Sequence, residues 1–348
     1  MSALCKNILV TRLSALGDVV MTIPVIYPIC RDYPECRFTL LTSPMAEKLF
    51  IDKPGNLCII TIDTKNKYKG IKGIFKVFNE IKGRKFDAVA DLHNVLRSKI
   101  LRMLFILSGT KVARMHKGRR EKKRLTDKDK KGFKQLKSSF ARYSDVFERL
   151  GFKYSGNFTP LAENNALSLP KLLVKEKGDD MLWIGIAPVS KHRGKNYPLE
   201  RMEKVVNILS ETGRYRIFLF GSPDDNNIFD KWCTENKNVV SLVTMRLGFA
   251  NEISFMKKLD LLVSMDSANM HLAALMGTRV LSIWGETHPY AGFLGWGLTE
   301  DSVLQRDLLC RPCSVFGNKP CRFGNYACLD ISTEKVIEKI EEIIKNKR

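Results

Sequence analysis

The residues best suited to chemistry in the first half of the chain follow an apolar run at 8–13. Residues 14–18 supply Ser14, a single glycine, Gly17, and a carboxylate, Asp18. Because Gly17 stands alone, this turn lacks the three-glycine dinucleotide fingerprint and gives no support to a nicotinamide-dependent activity. Asp18 has two open interpretations: a helix N-cap, a position that aspartate favours, or a catalytic carboxylate.

A second group follows the apolar run 261–264 and opens a predicted helix. Free backbone N–H groups at such a helix start suit a nucleotide diphosphate. Asp266 is negative, so we expect it to face hydroxyls or backbone donors. His271 either donates to a phosphate oxygen or is a packed structural residue. The residues of this group are Asp266, Ser267, Ala268, Asn269 and His271.

The segment 190–198 follows another apolar run, 183–188, and contains Ser190 and Lys195. If these runs are parallel strands, their carboxyl ends meet at one edge of a sheet, and Lys195 faces the helix start described above. Its ammonium group would then neutralise diphosphate charge, as a phosphate site without a metal requires.

Four cysteines lie within 19 residues near the end of the chain: Cys310, Cys313, Cys321 and Cys328. Four thiolates at such spacing could bind a structural zinc ion. The alternative is a reduced or redox-labile cluster in a surface loop. In neither case do we expect a catalytic role.

The elements that must position these residues alternate between short apolar runs and helical segments in both halves of the chain. Runs at 8–13, 37–42, 58–62 and 87–92 read as strands of one domain, and 183–188, 216–220, 239–243, 261–264 and 279–284 as strands of another. A helix is predicted over 19–32. Strands alternating with helices predict doubly wound parallel sheets, with an active site between the two domains.

The charge is unusual, because 58 Lys and Arg against 37 Asp and Glu give +21. Residues 1–170 account for +18 of it and residues 171–348 for +3. The segment 111–142 holds 14 basic and 3 acidic residues and is interpreted as a solvated loop. An anionic partner is expected, and one open hypothesis is a nucleic-acid-binding protein, although aromatic residues are sparse in this segment.

No signal peptide or membrane-spanning run is visible, so the expected location is cytoplasmic, peripheral at the inner face of the cytoplasmic membrane. The basic half would contact an anionic surface there. Membrane association should then fall with added salt. It should also fall on neutralisation of Arg119, Arg120, Lys122 and Lys123.

Four motifs in register resemble the lipopolysaccharide heptosyltransferase family, glycosyltransferase family 9. They are residues 13–20 with Pro24, the lysine-aromatic-proline element at 195–198, the donor motif at 266–274, and the Gly-x-Thr-x-Pro turn at 285–289. Ala268 departs from the family, which commonly has glycine there. The acidic residue expected to contact the nucleoside is either Asp224 or Asp225.

The resemblance implies a GT-B fold, with two Rossmann-like domains facing a central cleft. It implies an acceptor domain at 1–165, a linker at 166–180, a nucleotide-sugar domain at 181–330 and a terminal helix at 331–348. It also implies inverting transfer of heptose from ADP-heptose to a lipopolysaccharide core or lipid A-type acceptor, without a catalytic metal.

By position, the resemblance makes Asp18 the general base. The donor ligands become Ser190, Lys195, Asp266, Ser267, Ala268, Asn269 and His271, and an anionic acceptor is assigned to Ser14, Gly17, Arg119, Arg120, Lys122 and Lys123. Another nucleotide-sugar or acceptor stays open, as does a relative that binds nucleotide-sugar without catalysis. No nucleic-acid partner is expected on this reading.

Overall fold

The computed structural model describes residues 6–127, 129, 132–161 and 181–346. Its contacts divide the chain into two compact units, residues 1–118 with 137–159 and residues 119–136 with 160–348. The linker expected at 166–180 lies outside the described residues. None of the described helices is long and apolar enough to cross a membrane.

The first unit is a five-stranded parallel sheet covered by helices. The described elements up to residue 159 are β1 (Asn7–Thr11), α1 (Leu16–Val20), α2 (Ile23–Asp32), β2 (Arg37–Thr42), α3 (Pro44–Glu47), β3 (Leu57–Thr61), α4 (Gly70–Ile81), β4 (Ala88–Asp91), α5 (Leu96–Leu107), β5 (Lys111–Arg114), α6 (Arg119–Leu125) and α7 (Ser139–Leu150). Of these, α6 belongs to the second unit. The strand order is β3-β2-β1-β4-β5.

The helix predicted over 19–32 is in fact two helices, α1 and α2. Pro24 is the second residue of α2. Proline lacks an N–H group and has a fixed φ, which favour the first turn of a helix over its interior. The break leaves α1 as a short separate helix directly after β1.

The second unit is a six-stranded parallel sheet. Its described elements after residue 180 are β6 (Leu182–Ala187), α8 (Leu199–Glu211), β7 (Tyr215–Leu219), α9 (Asn226–Glu235), β8 (Val239–Ser241), α10 (Phe249–Met256), β9 (Leu261–Met265), α11 (Ala268–Leu275), β10 (Val280–Trp284), β11 (Val303–Gln305) and α12 (Thr333–Lys345). The order is β11-β10-β9-β6-β7-β8. One face of this sheet packs a core of buried aliphatic and aromatic residues against α8 and α12.

The interpretation of 111–142 as a solvated loop is wrong. The segment contains β5 and α6, and Leu125, Leu136 and Ala291 form a buried apolar cluster. The backbone N–H of Leu136 donates to the carbonyl of Tyr290 at 2.9 Å. Two leucines in a basic run are therefore enough to anchor 119–136 to the second unit.

This packing changes how the positive charge is distributed. Counted by compact unit, the first unit has 24 basic and 11 acidic residues, or +13, and the second has 34 and 26, or +8. The excess is therefore shared by the two units.

In each sheet the chain reverses its direction of winding between two central strands. The reversal lies between β1 and β4 in the first unit and between β6 and β9 in the second. In open α/β sheets, ligands bind beyond the carboxyl ends of the strands at such a switch point. The loops after β1, β4, β6 and β9 are therefore the places to look for a site.

Candidate active site

Asp18 lies just beyond the carboxyl end of β1, as the third residue of α1. Its Oδ2 atom is 2.5 Å from Nη2 of Arg12 and 3.4 Å from the backbone nitrogen of Ala15. The N-cap interpretation is wrong, because Ala15 is the N-cap residue of α1. Asp18 instead accepts the backbone N–H of Ala15, as the third residue of a capping box does. A third of the side chain remains exposed (33%), which leaves the carboxylate accessible to a ligand.

Arg12 holds this carboxylate in place. Its side chain is buried, Nη1 donates to the carbonyl of Leu92 at 2.7 Å, and the guanidinium lies over the ring of Tyr143. The hydroxyl of Tyr143 in turn donates to the backbone carbonyl of Asp18 at 3.2 Å. Both contacts fix α1 and its carboxylate relative to the sheet.

The end of β4 contributes a buried polar network beside this pair. Asp91 accepts from the hydroxyl of Thr11 at 3.2 Å and forms a 2.7 Å ion pair with Arg102. It also accepts the backbone N–H groups of His93 and Asn94 at 3.0 and 2.8 Å. Asp91 is therefore satisfied on both oxygens and shapes the loop that follows β4.

His93 faces the Ser14 turn from that loop. Its Nδ1 atom accepts from the backbone N–H of Leu13 at 3.5 Å, and Nε2 lies 3.4 Å from Oγ of Ser14. Burial, together with the charges of Arg12 and Lys117, lowers the pKa of His93 to about 4. The imidazole is therefore neutral at neutral pH, and Nε2 carries the proton that it can share with Ser14.

Arg12, Asp91 and His93 were not predicted as site residues from the sequence. The available signal was their position, because all three lie at or just after the carboxyl ends of β1 and β4. A topology with β1 beside β4 would have pointed to them.

In the second unit, Lys195 and Asp266 meet across the switch point between β6 and β9. The Nζ atom of Lys195 is 2.8 Å from Oδ2 of Asp266 and donates to its backbone carbonyl at 3.2 Å. Both side chains are largely buried, at 16% and 5% exposure. The expected proximity of 190–198 to the helix start after β9 is confirmed for these two residues.

The loop that holds Lys195 is closed by Asn196. The Asn196 amide accepts from the backbone N–H of Ser190 at 2.7 Å and donates to the Ser190 carbonyl at 3.1 Å. The carbonyl of Gly194 accepts from the backbone N–H of Glu286 at 2.8 Å. The turn 285–289 therefore braces the Lys195 loop.

Glu286 is a further residue of this region that was not predicted from the sequence. It is fully buried, its carboxylate lies against Gly194, and no described residue donates a hydrogen bond to either oxygen. Burial raises its pKa. A side chain at 194 would collide with this carboxylate, which explains the glycine.

The residues predicted to bind an anion lie at the start of α11, and their anion-binding role stays a prediction. Ser267 is the N-cap residue, its hydroxyl is 3.1 Å from that of Ser264, and its own side chain makes no capping hydrogen bond. Ala268 and Asn269 are half-buried, and His271 is buried one turn into the helix. Ala268 has helical backbone, a conformation open to alanine as well as to glycine.

The two candidates after β7 differ in their surroundings. Asp225 is buried, and its Oδ2 accepts from the backbone N–H and the hydroxyl of Ser222 at 2.7 and 2.8 Å. Asp224 is exposed. Asp224 is thus the carboxylate that a ligand could reach.

The four cysteines of the C-terminal segment line one cavity of about 470 Å³. Burial raises the pKa of Cys313 to about 11 and that of Cys328 to about 12. Within the described residues, no three Cys, His, Asp or Glu side chains stand in an arrangement that could hold a metal ion. Zinc at these thiols stays a prediction.

This cysteine-rich loop also packs against Glu286 and Lys195. The backbone N–H groups of Cys313 and Ser314 donate to the carbonyl of Glu286 at 3.2 and 3.4 Å. Gly317 has φ +67° and lies against the aliphatic stem of Lys195, where a Cβ atom would clash. The loop therefore restricts where the lysine can move.

The residues assigned to an anionic acceptor fall into two groups. Ser14 and Gly17 lie beside Asp18 in the first unit. Arg119, Arg120, Lys122 and Lys123 lie on α6 in the second unit, where Lys122 packs over the ring of Phe293. All six residues were expected in one acceptor domain, residues 1–165, whereas the compact units separate them.

Residues 74–326 match the family model described as glycosyltransferase family 9 (heptosyltransferase). The chain belongs to this family. It is a glycosyltransferase, and the predictions of family, GT-B fold and enzyme class are confirmed.

Curated relatives are similar in sequence to this chain over most of its length. Lipooligosaccharide heptosyltransferase 2 of Campylobacter jejuni serotype O:2 is 25% identical over 339 residues, 95% of this chain and 96% of the relative. Lipopolysaccharide core heptosyltransferase OpsX of Haemophilus influenzae is 24% identical over 302 residues, 82% and 80% of the two chains.

Solved structures share the fold. A family 9 glycosyltransferase from Veillonella parvula matches with a TM-score of 0.74 and 22% identity over 99% of both chains. Escherichia coli heptosyltransferase WaaC, solved with ADP, matches with a TM-score of 0.67 and 16% identity over 97% of this chain and 99% of that one. Two parallel-sheet, Rossmann-like domains are common to all of them.

Proposed function

We propose that this glycosyltransferase moves a heptose from ADP-heptose to a lipopolysaccharide core or lipid A-type acceptor, with inversion at the anomeric carbon. The observation that supports this best is the placement of its polar residues. Asp18 lies at the switch point of one sheet, and the Lys195–Asp266 pair lies at that of the other. Curated relatives named as heptosyltransferases support the sugar.

The second unit would bind the donor. Lys195, His271 and the backbone N–H groups at the start of α11 would hold the diphosphate. The diphosphate would compete with Asp266 for the ammonium of Lys195, which frees the Asp266 carboxylate for sugar hydroxyls. Ser190 and Asp224 would contact the nucleoside. One solved neighbour contains ADP and another ADP-2-deoxy-2-fluoro heptose, in support of an ADP-sugar.

In the first unit, Asp18 would accept the proton of the acceptor hydroxyl. The acceptor oxygen forms its new bond to the anomeric carbon while the bond from that carbon to the diphosphate breaks. ADP leaves with the electron pair, and attack opposite the leaving group inverts the configuration. Lys195 and the α11 start stabilise the charge on the departing ADP, so we propose that the transfer needs no metal cofactor.

The acceptor would be an anionic glycolipid at the inner face of the cytoplasmic membrane. Ser14 and Gly17 line the surroundings of Asp18 in the first unit. The exposed basic side chains of α6, Arg119, Arg120 and Lys123, offer cations for acceptor phosphates from the second unit. No nucleic-acid partner is proposed.

A donor panel tests this function. Purified protein is incubated with a glycolipid acceptor and, in separate reactions, ADP-heptose, ADP-glucose, UDP-glucose and GDP-mannose, and products are identified by mass. We expect a product one heptose heavier, formed only with ADP-heptose. The variant Lys195→Met should lose it, while Lys191→Met, which alters an exposed lysine of the same loop, should keep it. Product from another donor alone would contradict the proposal.

A further inference from the structure

The outer surface of α4 and α5 exposes an unusual number of large apolar side chains. Of the twelve exposed large hydrophobic residues in the described chain, six lie on these two helices: Ile71, Phe75, Leu96, Met103, Ile106 and Leu107. Leu107 is 82% exposed and Leu96 69%. Single exposed apolar residues are ordinary, whereas a group on adjacent helices indicates an interaction surface.

These side chains are not needed by the core beneath them. The inner faces of the two helices are already buried, with Ile74, Val77, Leu101 and Phe105 in one apolar cluster on the sheet. Phe78 and Phe105 meet edge to face at 5.1 Å between ring centroids and join the helices side by side. The outward residues therefore lie on two adjacent helices, and we name their exposed sides together the α4–α5 face.

The same surface is strongly basic. Residues 64–85 contain eight Lys and Arg and a single acidic residue, Glu80, whose carboxylate accepts from the hydroxyl of Tyr68 at 2.7 Å. On α4, exposed Lys72 and Lys76 directly follow exposed Ile71 and Phe75. Apolar and cationic side chains are thus interleaved on one outward face.

We propose that the α4–α5 face lies on the surface of an anionic lipid bilayer. Apolar side chains inserted at the headgroup boundary, with lysines beside them, are the combination that holds peripheral proteins on acidic membranes. The near absence of carboxylates fits a surface of uniform negative charge. The proposal rests on the proposed function in one respect, since a lipid-linked acceptor brings the enzyme to a membrane.

Vesicle flotation without donor or acceptor tests the proposal. The full chain is mixed with phosphatidylethanolamine vesicles containing about 30 mol% phosphatidylglycerol, or with phosphatidylcholine vesicles. We expect binding to the anionic vesicles only, weakening as salt is added. The double variant Phe75→Ser/Leu107→Ser should bind on the order of tenfold more weakly. The matched control Ile208→Ser alters an exposed apolar residue on α8 of the second unit and should bind as the wild type does.

A variant that removes two positive charges provides a second, independent test of vesicle binding. Lys72→Gln/Lys76→Gln should weaken binding on the order of tenfold and flatten its dependence on salt, whereas Lys237→Gln, an exposed lysine after α9, should do neither. Thermal unfolding midpoints equal to that of the wild type would show that these surface changes leave the fold intact.

Three results would overturn the proposal. One is unchanged vesicle binding in both double variants. Another is loss of all binding in Arg119→Gln/Arg120→Gln alone, which would place the contact on α6. The third is a concentration-dependent dimer, abolished by Phe75→Ser/Leu107→Ser in the absence of vesicle binding, which would make the face a protein interface. Heptose transfer to a deacylated, water-soluble acceptor should be equal in the wild type and in the two double variants of the α4–α5 face, so failure here is distinguishable from failure of the proposed function.

Discussion

At the scale of single residues, the first unit combines one accessible carboxylate with groups that fix it. Asp18 receives a buried guanidinium on one side and a backbone N–H on the other. Arg12 is itself held by Leu92 and Tyr143. On the proposed mechanism, a base must be held within hydrogen-bond reach of the proton that it removes, and Arg12 would be the positioning residue for Asp18.

His93 makes the stability of the protein depend on pH. Its folded pKa of about 4 lies below its ordinary value of 6.5, so between these values the unfolded chain binds a proton that the folded chain does not. Stability therefore falls as pH falls, by about 2 kcal/mol between pH 7 and pH 5. Urea unfolding followed by circular dichroism at the two pH values should show this loss in the wild type.

The variant His93→Gln should lack that part of the pH dependence, because the amide does not titrate. His116→Gln, at an exposed histidine of the same unit, serves as the control and should keep it. Equal pH dependence in the wild type and His93→Gln would show that the imidazole is not held neutral by burial.

At the scale of elements, the sequence predicts the strands that precede the candidate site residues. It does not predict the strands that lack a strong apolar run. The strands β1, β4, β6 and β9 are apolar runs in the sequence and were predicted from them. Ligands bind beyond the carboxyl ends of parallel strands, and this rule locates Asp18, Lys195 and Asp266. The strands β5 and β11 were not predicted, because each is a short edge strand with only two apolar residues. The equally short edge strand β8 was predicted because it lies in the longer apolar run 239–243. Apolar patterning is weak over so few positions.

Packing of distant segments is what the sequence could not show. The anchoring of 119–136 depends on Ala291, Tyr290 and Phe293, more than 150 positions away, and no local pattern contains that information. The same holds for Glu286, whose burial follows from the approach of the Lys195 loop. A run of charged residues predicts a solvated loop only when none of its apolar residues packs against another part of the protein.

The cysteine-rich loop is an element whose reactivity can be predicted. Because burial raises the pKa of Cys313 to about 11 and that of Cys328 to about 12, both remain protonated near pH 8 in the absence of a metal. Since the thiolate is the reactive form, exposed Cys58 should be alkylated before either of them. Mass spectrometry of peptides after brief iodoacetamide treatment at pH 8 measures the order.

Metal analysis of the same preparation tests the zinc prediction. Zinc at the four thiols would give about one ion per chain, lost in Cys310→Ser/Cys313→Ser and kept in Cys58→Ser. Rapid alkylation of Cys313 at pH 8 in a preparation without metal would contradict the protonated state.

At the scale of the whole molecule, the positive charge has more than one location. The first unit carries +13, much of it on and around the α4–α5 face, and the second carries +8, including the basic helix α6. A nucleotide diphosphate needs neither of these surfaces. The presence of basic surfaces in both units agrees with the proposed large anionic acceptor in a membrane. The α4–α5 face and α6 can be tested separately by substitution.

The central claim for the molecule is that the two switch points divide the reaction. The first supplies the base and the second holds the donor, so removal of the base should abolish transfer and leave donor binding intact. Asp18→Asn keeps the size of the side chain and removes its basicity. Asp32→Asn, at an exposed aspartate at the end of α2, is the matched control.

The most direct test measures kcat for heptose transfer together with Kd for ADP-heptose in these two variants. We predict that Asp18→Asn lowers kcat by about 10²- to 10⁴-fold with Kd unchanged, and that Asp32→Asn alters neither. Transfer by Asp18→Asn at close to the wild-type rate would show that Asp18 is not the base.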